Sequence, residues 1–228
     1  MDGERLEGIR ACVFDAYGTL FDVNSATAPC LHELGDKAAA LNRLWREKQL
    51  QYTWLRACQG KHADFWQVTA DALDFAVRSL GIDGAELRRR LLDSYLLLGA
   101  YPEVPDTLAR LKTAGFRLAI LSNGTPAMLE SAVQNAKLHS LLDAVFSVEQ
   151  AGVYKPNPRV YQLAVDGFGI VPEQICFVSS NAWDAYAASA FGMRVIWCNR
   201  TGQQEEYLPG KPDIVLSSLV EMPARIGP

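Results

Sequence analysis

Through most of this chain, short apolar runs alternate with segments of helical length, and that alternation constrains the fold more than any other feature. The runs fall at residues 9–14, 116–121, 175–178, 195–198 and 214–216, with a weaker sixth at 145–147. Between them lie segments with helical spacing of apolar residues. Residues 105–114 carry Leu108 and Leu111, and 126–136 carry Met128, Leu129, Ala132 and Val133. Residues 159–168 carry Val160, Tyr161, Ala164 and Val165, and 182–191 are rich in alanine and aromatics. Strand-length runs joined by single helices are the pattern of βαβ units, so the fold class is α/β with a mostly parallel sheet. Gly115, Gly169 and Gly192 follow three of the helices, where a left-handed cap favours glycine.

One interval breaks the rhythm. From residue 23 to 98 no run reads as a strand, and three helical patterns occupy 38–58, 63–80 and 84–98. On the first of them Leu41, Leu44, Trp45, Tyr52 and Leu55 recur at helical spacings. The expected organisation is an α/β core formed by residues 1–22 and 99–228, interrupted by a helical cap subdomain at 23–98.

Composition narrows the function by exclusion. Lys plus Arg number 22 against 26 Asp plus Glu, a net charge of -4, which offers no basic footprint for nucleic acid. The longest apolar runs are far below the roughly 20 residues that span a bilayer. No basic start leads into an apolar stretch with a cleavage site, so a cytoplasmic protein without membrane association is expected. Five cysteines form no CxxC pair and no Cys/His cluster, which argues against disulfides and zinc. Cys12, Cys176 and Cys198 lie inside apolar runs and are expected as small buried hydrophobes on strands. His32, His62 and His139 stand among polar neighbours and are expected in loops or at the surface.

Ligands of parallel sheets bind beyond the carboxyl ends of the strands. After the first run come Asp15-Ala16-Tyr17-Gly18-Thr19, and after the second Ser122-Asn123-Gly124-Thr125. Past the weak run come Tyr154-Lys155-Pro156, and after the next Ser179-Ser180-Asn181-Ala182-Trp183-Asp184. These loops should gather two carboxylates, one ammonium and several neutral hydrogen-bonding groups on one side of the sheet. Taken singly, Ser122, Ser180 or Asn181 could cap a following helix, and Lys155 could be a solvated loop charge.

Together these stretches resemble the motif series of the haloacid dehalogenase superfamily, in the form found in its L-2-haloacid dehalogenase branch. Leu44-Trp45-Arg46 and Tyr52-Thr53-Trp54-Leu55-Arg56 resemble that branch's cap helix, and Asn199-Arg200-Thr201-Gly202 its later loop. The likeness runs almost end to end and implies a Rossmann-like core with an inserted helical cap. Superfamily phosphatases carry a second aspartate two residues after the nucleophile, where this chain has Tyr17. Tyrosine, with a free pKa of about 10, cannot protonate a leaving alcohol at neutral pH. Phosphatases also hold Mg²⁺ with an acidic cluster where Ser179-Ser180-Asn181 stand, and one acid, Asp184, is too few hard ligands for it. No metal and no cofactor is expected, because a halide needs no protonation and a haloacid brings no phosphate.

The resemblance implies hydrolysis of 2-halo acids by covalent catalysis. Asp15 would attack C2 opposite the halide to give an aspartyl ester, which water then hydrolyses to the inverted 2-hydroxy acid. Asp184 would handle that water with Ser179, Asn181 and Lys155, while Thr19 orients Asp15 and Tyr161 supports the network. Ser122 and the amides after Asp15 would hold the substrate carboxylate. Arg46 would accept the halide, with Asn123 and the Trp183 ring completing the cradle. Tyr17, Leu50, Phe65 and Trp183 would form an apolar substrate pocket. Ala16 and Glu47 replace the leucine and glutamine common in the branch, and both are expected beside the substrate. The implied partners are a 2-haloacid, the released halide and a second copy of the chain. A superfamily phosphatase and a non-catalytic binding protein on the same fold are the alternatives.

Overall fold

A computed structural model describes residues 5–228. Six strands form one sheet: β1 (Ala11–Phe14), β2 (Arg117–Ser122), β3 (Ala144–Ser147), β4 (Ile175–Ser179), β5 (Arg194–Cys198) and β6 (Ile214–Leu216). Their spatial order is β3-β2-β1-β4-β5-β6, and every pairing is parallel. All residues of β1 and β4 are buried, as strands covered on both faces must be, which explains runs of apolar residues rather than alternation. Cys12, Cys176 and Cys198 lie on β1, β4 and β5 as buried free thiols. The sheet's order reverses between β1 and β4, so the crevice at their carboxyl ends is the natural ligand site.

Helices α5 (Val104–Thr113), α6 (Pro126–Asn135), α7 (Pro158–Phe168) and α8 (Ala182–Phe191) connect the strands. The first strand is shorter than its run in the sequence, and the second is shifted one residue later. Ile9 is left out of β1 because its amide bonds Gly227 near the C-terminus, and the Phe116 amide closes α5 on Leu111 instead of entering β2.

Between β1 and α5 the described chain is helical. It begins with a 3-10 turn at Val23–Cys30, capped by Asp22 and containing Pro29, and a short α1 (Leu31–Leu34). These small and polar residues carry no periodic pattern, which is why local spacing missed them. Then come α2 (Ala38–Gln59), α3 (Phe65–Ser79) and α4 (Ala85–Leu96). Asp64 caps α3 by accepting from the Gln67 amide at 2.8 Å. Leu41, Trp45, Phe65, Leu73 and Tyr95 belong to the same continuous apolar cluster as Val13 and Phe177 of the sheet. The inserted helices therefore bury their apolar faces against each other and against the strand-end loops.

Candidate active site

Asp15 continues β1, its amide bonding Val178 of β4 at 2.9 Å. The chain then turns tightly. The Ala16 carbonyl accepts from the amides of Thr19, Leu20 and Phe21, and Gly18 adopts φ +89°, a conformation that favours glycine. This turn returns Thr19 beneath Asp15. The Thr19 hydroxyl donates to Asp15 Oδ2 at 3.1 Å and accepts from the Ser180 amide at 2.8 Å, pinning the first loop to the loop after β4. Arg200 braces the same turn, donating to the Thr19 carbonyl at 2.9 Å and to Glu103 at 2.6 Å while lying over the Tyr101 ring.

Three ionisable groups meet at the crevice. Lys155 Nζ lies 3.1 Å from Asp15 Oδ1 and 2.9 Å from Asp184 Oδ2, and all three residues are buried. Burial by itself pulls the Lys155 ammonium down, but the two carboxylates outweigh it and the net shift is upward. Asp184 is pushed up, first by burial and then by the neighbouring Asp15, while Lys155 and Tyr161 pull it back. Two acids share one cation, so the trio retains an affinity for a further proton. Tyr161 completes it, donating to Asp184 Oδ1 at 2.7 Å; burial, with Asp184 beside it, raises its hydroxyl well above the usual range and keeps it a donor.

The capping alternatives fail for two of these loops. Asn181 stands at the N-terminus of α8, yet its side chain makes no cap bond and instead donates to Asp15 Oδ2 at 2.8 Å. The Ser122 hydroxyl accepts from Gly124, and α6 is capped by Thr125. Ser179 plays a local part, its hydroxyl accepting from the Asn181 amide at 3.1 Å. The Asn123 carbonyl oxygen accepts from the Lys155 amide at 3.1 Å, which orders the loop that delivers the lysine.

From the inserted helices, Arg46 of α2 reaches this crevice. Its guanidinium donates to the Tyr17 carbonyl at 3.4 Å, to Asn181 Oδ1 at 3.3 Å and to Gln49 Oε1 at 2.7 Å. Tyr17 is buried and stacked between Phe65 and Tyr95, with ring centroids 5.7 and 5.5 Å away. Burial holds its hydroxyl well above the ordinary tyrosine range, so it carries no proton that could be released near neutrality. Leu50, half-buried, lies one helical turn beyond Arg46 on the same face of α2.

Two expectations change. Glu47 is exposed, because one residue along α2 from Arg46 turns a side chain about 100° away from the crevice. The expected halide cradle is not one hydrogen-bonded unit. Arg46 is tied to Tyr17 and Asn181, Asn123 to Lys155, and Trp183 meets Trp54 edge-on at 5.4 Å. Ala16 is fully buried, and its carbonyl closes the turn. Gln49 went unnoticed in the sequence. It is buried on α2, accepts from Arg46 and Tyr95 and donates to Thr69 at 2.7 Å, fixing the arginine's direction. The signal was its place in the series Leu41, Trp45, Gln49, Thr53, one buried position per turn.

The donor set does not suit a divalent cation. The space between the two carboxylates is bridged by the Lys155 ammonium, and among the described residues no group of three or more His, Cys, Asp and Glu is gathered. The arrangement suits a buried carboxylate nucleophile held by cationic and neutral donors, with a second carboxylate able to take a proton from water.

Comparison with known proteins agrees. The sequence model for haloacid dehalogenase-like hydrolases matches residues 9–192. An (S)-2-haloacid dehalogenase 1 of Pseudomonas sp. (strain CBS-3) is 49% identical over 219 residues, covering 96% of each chain. A crystal structure of a dehalogenase with an intermediate complex superposes with TM-score 0.93 at 45% identity, covering 95% of this chain and 96% of that one. The L-2-haloacid dehalogenase of Xanthobacter autotrophicus, with chloropropionic acid covalently bound, superposes with TM-score 0.88 at 36% identity, covering 95% and 97%.

Proposed function

The chain belongs to the haloacid dehalogenase-like hydrolases, and on that footing we propose that it hydrolyses the carbon–halide bond of short (S)-2-haloalkanoic acids to 2-hydroxy acids. The observation that carries this reading is the buried Asp15 carboxylate, held by Lys155, Thr19 and Asn181, with a neutral tyrosine where a phosphatase needs an acid.

An Asp15 carboxylate oxygen attacks C2 from the side opposite the halogen. The carbon–halogen bond breaks, the halide leaves with its electron pair, and C2 inverts. Lys155, Thr19 and Asn181 fix the nucleophile's orientation, so little reorganisation is needed at the moment of attack. Arg46 offers planar donors where negative charge builds on the departing halide, an interaction strongest in the transition state. Ser122 and the backbone amides after Asp15 hold the substrate carboxylate. Water then adds to the Asp15 carboxyl carbon, giving a proton to Asp184; the ester's carbonyl carbon–oxygen bond breaks, and the departing 2-oxygen takes that proton from Asp184 to leave as the hydroxy acid. With Asp15 tied up as the ester, Asp184 is the carboxylate left beside Lys155 and serves as the base for that step. No step uses a metal.

In this reading residues 23–98 act as a cap that supplies Arg46, Leu50 and Phe65 to a core carrying the other groups. We take the active form to be a homodimer and the compartment to be the cytoplasm. Leu55 and Phe75 stay exposed on the outer face of α2 and α3 beside Arg56, Arg78, Asp71 and Asp74, a mixed-charge border that suits pairing with a second copy. Five free thiols suit a reducing compartment, and no helix of the described chain is long and apolar enough to cross a membrane.

The test is halide release from each enantiomer of 2-chloropropionate with EDTA present. Wild type should release chloride from the (S) form and yield (R)-lactate. Asp15→Asn should lose activity by roughly a thousandfold or more, as nucleophile removal does elsewhere. No release by wild type, or equal release by the variant, overturns the proposal.

A further inference from the structure

We propose that Gln49 is a positioning residue for carbon–halogen cleavage: it holds Arg46 by one guanidinium nitrogen, leaves the other to the halide, and does so without cancelling the arginine's charge. The inference rests on the dehalogenase reading above and concerns how that same site expels the halide.

Gln49 is buried, and its amide has one orientation open to it. The Thr69 hydroxyl donates to the Phe65 carbonyl one turn back along α3, at 2.6 Å. With its proton committed there, Thr69 can only accept from Gln49, which therefore turns Nε2 towards it at 2.7 Å. Oε1 is left facing Arg46 and Tyr95. It accepts from Arg46 Nη1 at 2.7 Å and from the Tyr95 hydroxyl at 3.2 Å. Burial raises Tyr95, so its hydroxyl keeps the proton and stays a donor. The Trp45 indole donates to the Thr69 carbonyl at 2.9 Å and fastens α2 to α3 at the same level.

The two ends of the guanidinium are held unequally. Nη1 has the short bond to Gln49, whereas Nη2 rests on Asn181 Oδ1 at 3.3 Å and the Tyr17 carbonyl at 3.4 Å, both long for such bonds. Nη2 is therefore the nitrogen that exchanges its partners for a departing halide at little cost. All three acceptors of Arg46 are uncharged. The small space beside Arg46 and Gln49 is lined by Val23, Asn24, Asn42, Trp45 and Tyr95, none of them acidic. A carboxylate at position 49 would anchor Arg46 as firmly but pair off its charge. Glutamine gives the aim and leaves the charge for the halide.

The experiment measures kcat/KM for (S)-2-bromopropionate and (S)-2-chloropropionate. That constant covers the steps up to halide departure, and both acids leave the same ester on Asp15, so ester hydrolysis cancels from the comparison. Chloride is the poorer leaving group and concentrates more charge, so its departure leans harder on Arg46. Gln49→Leu removes the anchor. Gln49→Glu keeps an anchor to which the Thr69 and Tyr95 hydroxyls can both donate, and so carries the test should the leucine variant not fold. Each variant should raise the bromo-to-chloro ratio of kcat/KM by about fivefold or more, and Arg46→Lys should raise it at least as far. A residue that only supports packing would lower both constants equally. A wild-type ratio in either folded Gln49 variant overturns the proposal; if Arg46→Lys still moves the ratio, Arg46 keeps its halide role without Gln49. Failure of wild type to release halide from either acid overturns the dehalogenase reading instead, so the two failures are distinguishable.

Discussion

At the scale of single residues, Asp184 carries the pH behaviour. Burial and Asp15 raise its proton affinity, and hydrogen bonds from Lys155 and Tyr161 oppose that rise. A raised carboxyl group stays protonated to higher pH and is lost as a base when pH falls through its raised value. Once Asp15 is esterified its charge is gone, so burial is what keeps the acid limb of ester hydrolysis up, against those two hydrogen bonds. Tyr161→Phe removes one of the opposing hydrogen bonds. At about 1 kcal/mol for such a bond, the limb should move to higher pH by about 0.7. A pH profile of single-turnover ester hydrolysis reads this directly. A purely structural Tyr161 would lower the rate equally at every pH and leave the limb in place. The identity of this network was legible in the sequence, since Asp15, Lys155 and Asp184 all follow apolar runs. What each carboxylate does was not, because proton affinity depends on burial and on distances between loops far apart in the chain.

At the scale of elements, the strand ends were readable because apolar runs stop where buried backbone stops. The functions of the residues just beyond them needed coordinates. Asn181 sits where a cap belongs but serves Asp15, while Thr125 takes the capping duty on α6. Gln49 escaped because a polar residue in a buried stripe reads as a break in it, whereas here it aims Arg46. Gly124 shows how tightly one such loop is fitted. A Cβ there would lie 2.9 Å from Tyr17 Cε2 and hydroxyl oxygen and 3.0 Å from Leu129. Gly124→Ala must tilt the Tyr17 ring out of its stack with Phe65 and Tyr95, an overpacking that costs about 1–3 kcal/mol. The Tyr17 hydroxyl has no partner among the described residues, so Tyr17→Phe sacrifices no bond and relieves half of the collision. Thermal unfolding of the two single variants and the double should show part of the Gly124→Ala loss recovered in the double. Strictly additive losses would mean that the loop yields elsewhere.

At the scale of the whole molecule, the inserted helices are tied to the loop that delivers Lys155. The Tyr154 hydroxyl donates to the Ala63 carbonyl, and His62 stacks on the Tyr154 ring at 4.9 Å while pairing with Glu149 at 2.9 Å. These partners are about 90 residues apart, and no local pattern announces them; in the sequence His62 reads only as a loop histidine. Tyr154 directly precedes Lys155, so seating the segment between α2 and α3 also positions the ammonium between the two carboxylates. Burial raises the Tyr154 hydroxyl far above its usual range, which keeps it a donor at every working pH. Removing that donor should loosen the cap first and the chemistry through it. Tyr154→Phe gives up one hydrogen bond of about 1 kcal/mol, and local opening should become about fivefold more frequent. Hydrogen exchange of the amides from Lys61 to Phe65 should speed up by that factor, with those of β4 unchanged, and kcat/KM should fall in parallel. Equal acceleration in β4 would mean a general loss of stability, and unchanged exchange near Ala63 would detach this contact from cap seating.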